Sequence, residues 1–149
     1  MSLRTIDVDG FLVSVDVEET QAVYSRFEPS CCDCSYCRNF RAQWNELIVP
    51  SFSENLRAIG IDAPKPVEIV EYCRNEDGSH FYQVDWPFIG PEVSESSQGS
   101  GGRAFGLEVG VAPRGIPCKE FDATGHRWSS WALFRRVPWR LSEPEFGQR

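Results

Sequence analysis

Four of the six cysteines fall within seven residues, Cys31-Cys32-Asp33-Cys34-Ser35-Tyr36-Cys37, directly ahead of an amphipathic stretch with helical spacing. Thiols this close can share a metal ion, exchange a disulfide or pack as small hydrophobes. Zinc is the first metal to consider, and a structural zinc site takes four ligands. Cys32, Cys34 and Cys37 supply three, and Cys31, Cys73, Cys118, His80 or His126 would complete the set. The pattern is one crowded cluster rather than two separated C-x-x-C pairs, so spacing alone does not name zinc.

Redox chemistry is the second reading. Cys34-Ser-Tyr-Cys37 is a C-x-x-C motif that resembles the Cys-Pro-Tyr-Cys site of glutaredoxins. A helix beginning near Cys34, capped by Asp33 or Ser35, would place Cys34 and Cys37 on one face of the first turn, where unsatisfied backbone N–H groups lower thiol pKa values. A thiol–disulfide oxidoreductase using Cys34 and Cys37 would also need a βαβ unit leading into the motif, and here a hairpin precedes it. The third reading is packing. Cys37 lies three residues before Phe40 and continues an apolar stripe through Trp44, Leu47 and Ile48, and Cys73 and Cys118 stand alone, as core cysteines commonly do.

The elements that must position these thiols are legible from periodicity. Residues 5–17 alternate around Asp9-Gly10, which predicts a hairpin with Phe11, Val13, Val15 and Val17 on the core face. A short helix is predicted over about 19–27. The stripe from Phe40 to Ile48 predicts a helix that ends before Pro50, and Ser51 with Glu54 forms a capping-box pattern for the next one, closed by Gly60. Strands are predicted at 67–73, 80–88, 105–111 and 128–137. The segment from about 92 to 103 has no apolar period and reads as a flexible loop. The expected fold class is α+β: one domain spanning 1–149, a largely antiparallel sheet with a few short helices packed on one face.

Composition narrows the function classes. Hydrophobic residues make up 41% and aromatics 13%, too much apolar surface for a disordered chain. Fifteen Lys and Arg against 22 Asp and Glu give a net charge of −7, which repels phosphate backbones and anionic lipid, so neither nucleic acid nor a membrane is an expected partner. The same charge keeps an acidic, immunity-type inhibitor of a basic partner in view. No apolar run reaches the length of a membrane span and no signal-peptide pattern opens the chain, so a cytoplasmic location is expected. Trp128, Trp131, Phe134 and Trp139 fall on both parities of the last strand: either the strand is buried on both sides, or an exposed aromatic face joins a homodimer. No P-loop, G-x-S-x-G or paired-histidine motif is present.

The stretch Cys32-Asp-Cys-Ser-Tyr-Cys-Arg-Asn-Phe40, followed by Ile59-Gly-Ile-Asp62 and Lys65-Pro66, resembles a family of small uncharacterised bacterial cytosolic proteins with a Cys-Asp-Cys-x-Tyr-Cys-Arg-Asn-aromatic signature. The resemblance covers most of the chain, leaves Cys31 outside the pattern and implies no catalytic residue. It draws attention to Arg38 and Asn39, beside the thiols in the first helical turn, where Arg38 would stabilise a thiolate or bind an acidic group. The sequence reading is therefore a protein of unknown function, leaning away from an enzyme. Its partner would be a protein or small molecule, and its focus is the cysteine-rich helix start.

Overall fold

The computed structural model describes residues 2–29, 32–91 and 101–145. The chain opens with a hairpin, β1 (Arg4–Val8) and β2 (Phe11–Val15), whose turn residues Asp9 and Gly10 both take positive φ, 48° and 95°. That geometry lets a two-residue turn follow the twist of the strands. Asp16 then caps α1 (Val17–Arg26) by accepting from the Glu19 N–H at 3.0 Å. The cap starts this helix two residues before the stretch that periodicity picks out.

Three helices follow: α2 (Ser35–Ala42), α3 (Trp44–Leu47) and α4 (Pro50–Ala58). The single helix expected from Phe40 to Ile48 is broken at Gln43, whose buried side chain donates to the Pro138 carbonyl at 2.9 Å. The expected capping box at Ser51 is also not used. Helix α4 starts two residues earlier, at Pro50 with Val49 as its N-cap and no side-chain cap, because proline's fixed φ suits a position where its missing N–H is no loss.

Strands β3 (Glu68–Arg74), β4 (His80–Ile89), β5 (Gly101–Ala104), β6 (Leu107–Pro113) and β7 (Trp128–Val137) form one antiparallel sheet in the order β3-β4-β7-β6-β5. A four-residue helix, α5 (Lys119–Asp122), precedes β7 and is too short to leave a period in the sequence. The expected loop at 92–103 is corrected at its end. Residues 101–103 belong to β5, where Gly102 pairs with Val109 through backbone bonds that need no apolar alternation, and 92–100 lie outside the described residues. The strand expected from Phe105 begins at Leu107, since Phe105 and Gly106 form the turn with φ of 55° and 77°.

This is a single-domain α+β fold. The hairpin and helices bury one sheet face: Phe11 meets Trp131 with ring centroids 5.3 Å apart, Phe40 meets Tyr82 at 5.2 Å and Phe52 meets Trp86 at 5.7 Å. Trp131 is buried against Phe11 and Trp128 against Phe121 of α5, while Phe134 stacks on Phe81 on the outer face. Among the described residues no helix is long and apolar enough to cross a membrane.

Gly60 closes α4 at φ 95°, and a Cβ there would stand 2.6 Å from the Val17 carbonyl oxygen at the start of α1. Gly60→Ala should destabilise the fold by about 1–3 kcal/mol, read from the urea midpoint. An unchanged midpoint would show that this junction tolerates movement the structure does not display.

Candidate metal centre

Helix α2 begins where the cysteines end, and one of them makes the start. Cys34 is the N-cap, in extended conformation, and its sulfur accepts from the Cys37 N–H at 3.5 Å. Neither Asp33 nor Ser35 serves as the expected cap. A thiol that caps its own helix has its sulfur turned back over the first turn, which brings it to Cys37.

The sulfurs of Cys32, Cys34 and Cys37 lie within 4.8 Å of one another, and among the described residues no other cluster of His, Cys, Asp or Glu gathers in this way. The three can hold a metal ion. A tetrahedral zinc with bonds of about 2.3 Å separates its sulfurs by roughly 3.8 Å, so the cluster needs to contract by about 1 Å at most. Cys32 is exposed, Cys34 half-buried and Cys37 buried.

Burial explains how the thiols differ. The Cys32 thiol is held below its ordinary pKa by hydrogen bonds from the Cys34 backbone N–H and from the thiols of Cys34 and Cys37. The Cys37 thiol moves the other way, pushed far up by desolvation and then by its two sulfur neighbours, and lies 3.9 Å from the Ile69 carbonyl. The expectation that the helix start would depress Cys37 is thus corrected: desolvation outweighs the partial charge of one short helix. Of these two thiols, Cys32 gives up its proton the more readily and Cys37 holds its proton the more tightly.

The remaining candidate ligands are scattered. Cys73 is exposed, with its sulfur 3.9 Å from Asn75 Oδ1. His80 is 1% exposed, its Nδ1 2.7 Å from Glu71 Oε2 and its Nε2 3.0 Å from Glu145 Oε1. His126 lies beside Asp16, far along the chain from the thiols. Cys31 lies outside the described residues. Cys118 is buried but lines the same cleft as the cluster, a space of about 740 Å³ that Arg41 and Lys119 also border.

Arg38 and Asn39 face away from this chemistry. The Arg38 guanidinium grips the Glu143 carboxylate in two contacts, one of 3.2 Å and one of 2.5 Å, and also donates to the Asp33 carbonyl. Asn39 is fully buried; its Nδ2 donates to the Pro138 carbonyl at 3.1 Å and its Oδ1 accepts from the Arg140 N–H at 2.9 Å. Together they fasten the segment that leaves β7 across α2. There Trp139 packs edge-on to Tyr36 and beside His80. Sequence reasoning had no route to Glu143 or Glu145, which lie more than a hundred residues from the thiols, nor to Glu71.

Comparison with protein-family models, with curated proteins and with solved structures finds no match for this chain.

Two measurements follow. The pH midpoint for alkylation of Cys32 should lie below the ordinary thiol value of about 8.5, and a midpoint at or above it would contradict the hydrogen-bond pattern. Because the folded chain keeps the Cys37 proton that the unfolded chain releases above about pH 8.5, its stabilising contribution is complete below that pH and declines as pH rises. Cys37→Ala should flatten part of this decline in metal-free, reduced protein, while the likewise raised thiol of Cys118 and the raised phenols of Tyr24 and Tyr82 continue to contribute.

Asn39→Ala should cost about 1–3 kcal/mol, since it strands buried partners, whereas Arg38→Ala should change the denaturation midpoint little because its ion pair is exposed. The reverse ranking would show that the guanidinium, not the amide, fastens the chain.

Proposed function

We propose that the protein is a zinc-binding protein whose Cys32, Cys34 and Cys37 thiolates hold the ion, and that it acts by binding rather than by turnover. The observation that carries the reading is the convergence of three sulfurs within 4.8 Å at the start of α2. Zinc favours thiolate ligands in tetrahedral sites, and its charge would offset the desolvation that keeps Cys37 protonated. The N–H bond from Cys37 to the Cys34 sulfur orients that ligand as outer groups orient metal ligands elsewhere.

Three protein ligands beside a cleft of about 740 Å³ leave a fourth position for Cys31 or for a group entering the cleft. A closed set would make the ion structural; an open one would make it a point of attachment for a ligand or partner. The oxidoreductase reading draws less support. It asks for an accessible Cys34–Cys37 pair with one depressed thiol, whereas Cys37 is buried and raised and the depressed thiol is Cys32.

Protein purified under reducing conditions without added metal should carry about one zinc per chain by elemental analysis. Cys32→Ser and Cys34→Ser should lose the ion, and Cys118→Ser should keep it. Cys31→Ser separates a closed site from an open one. Freely titrating thiols with no uptake of added zinc would overturn the reading, as would disulfide-reductase activity that disappears in Cys34→Ser.

A further inference from the structure

The outer face of the sheet carries a second polar site that the thiols do not explain. Cross-strand register sets Glu68, Asp85, Ala132 and Gly110 in one row across β3, β4, β7 and β6. Ala132 and Gly110 are small, so the row is sunk between Phe134 on one side and Ser130 on the other, and the chain at Gly115 and Ile116 crosses above it. The result is a pocket of about 230 Å³, which shares only Ile116 with the lining of the thiol cleft. Sites for drug-sized ligands start at about 300 Å³, so this one suits a ligand of a few heavy atoms.

Its polar groups are unusual for a sheet surface. Asp85 is 2% exposed and Ser130 1% exposed. Among the described residues the Ser130 hydroxyl finds no hydrogen-bond partner, an expensive state for a buried group. The Asp85 Oδ1 accepts from Gln83 Nε2 at 2.6 Å. Its Oδ2 and the Ser130 Oγ both border Gly115, where a Cβ would stand 2.8 and 2.9 Å from them. Glu68 sits directly opposite Asp85 in the ladder, and like charges in such a pair repel.

We propose that this pocket binds a small primary ammonium on a short apolar stem, with the cation at Asp85 and Ser130 and the stem along Phe134, Ala132 and Ile116. Such a ligand supplies a partner for the Ser130 hydroxyl and neutralises the buried Asp85 carboxylate. A compact ammonium fits better than a guanidinium fork, because Gln83 and the Ile116 N–H already take up hydrogen-bonding positions on the Asp85 carboxylate. Desolvation, opposed by the Gln83 and Ile116 hydrogen bonds and reinforced by Glu68, raises the Asp85 carboxyl above its ordinary range, and a bound cation reverses that tendency.

Isotope-labelled protein titrated with n-butylammonium chloride tests this by amide chemical shifts. Saturable shifts should centre on Gly110, Ile116, Ser130 and Ala132, and n-butanol and butyrate should not reproduce them. Asp85→Asn should weaken binding by about tenfold, the loss expected of a charge-assisted contact. Ser130→Ala should weaken it less and serves where Asp85→Asn does not fold. Cys34→Ser should leave it unchanged, which separates this site from the zinc reading. Absence of saturable shifts with the ammonium, equal binding of butanol, or full affinity in Asp85→Asn would overturn the proposal.

Discussion

A buried amide sets where α2 sits. The Asn39 side chain has no exposure and satisfies both a carbonyl and an N–H of the chain that leaves β7. A buried amide with unmet bonds is costly, so α2 can neither slide nor rotate without losing both. Gln43 repeats the constraint one turn on, donating to the same Pro138 carbonyl and ending the helix as it does so. With the axis of α2 held, its first turn is held as well, and the cysteines that begin it are delivered to the edge of the sheet beside Ile69.

The two candidate sites solve different electrostatic problems. At the helix start, three sulfurs share a region where one is exposed and another desolvated, so gathering thiolates there calls for a cation to join them. On the outer face, the buried Asp85 carboxylate stands opposite Glu68 in the ladder, and the Ser130 hydroxyl has no partner among the described residues. A protein with a net charge of −7 supplies a general field that favours cations at both places. The local geometry makes them selective in opposite ways, soft sulfur on one side and hard oxygen beside an apolar floor on the other.

Much of the frame was legible because its periods are strong. The Asp9-Gly10 hairpin, the long strands at 80 and 128 and the glycine that ends α4 follow from alternation and from φ requirements. The misreadings share a cause. Gln43 breaks a helix whose apolar stripe continues past it, β5 is an edge strand of Gly-Gly-Arg-Ala with no side-chain pattern, and Pro50 displaces a cap that Ser51 and Glu54 spell correctly. In each case a backbone or long-range bond decided against a locally sound pattern.

Fold class, the core face of the first hairpin, the cation-favouring charge and a thiol cluster at a helix start could all be read from the chain alone. These depend on residue type and near spacing. The tertiary structure decided which thiols meet, which one is desolvated, that His80 is held between two glutamates rather than offered to a metal, and that Arg38 and Asn39 fasten a distant segment. It also set Glu68 opposite Asp85 and left Ser130 beside them. Those facts depend on strand register and on contacts between residues far apart in the chain, and neither is encoded in any local period.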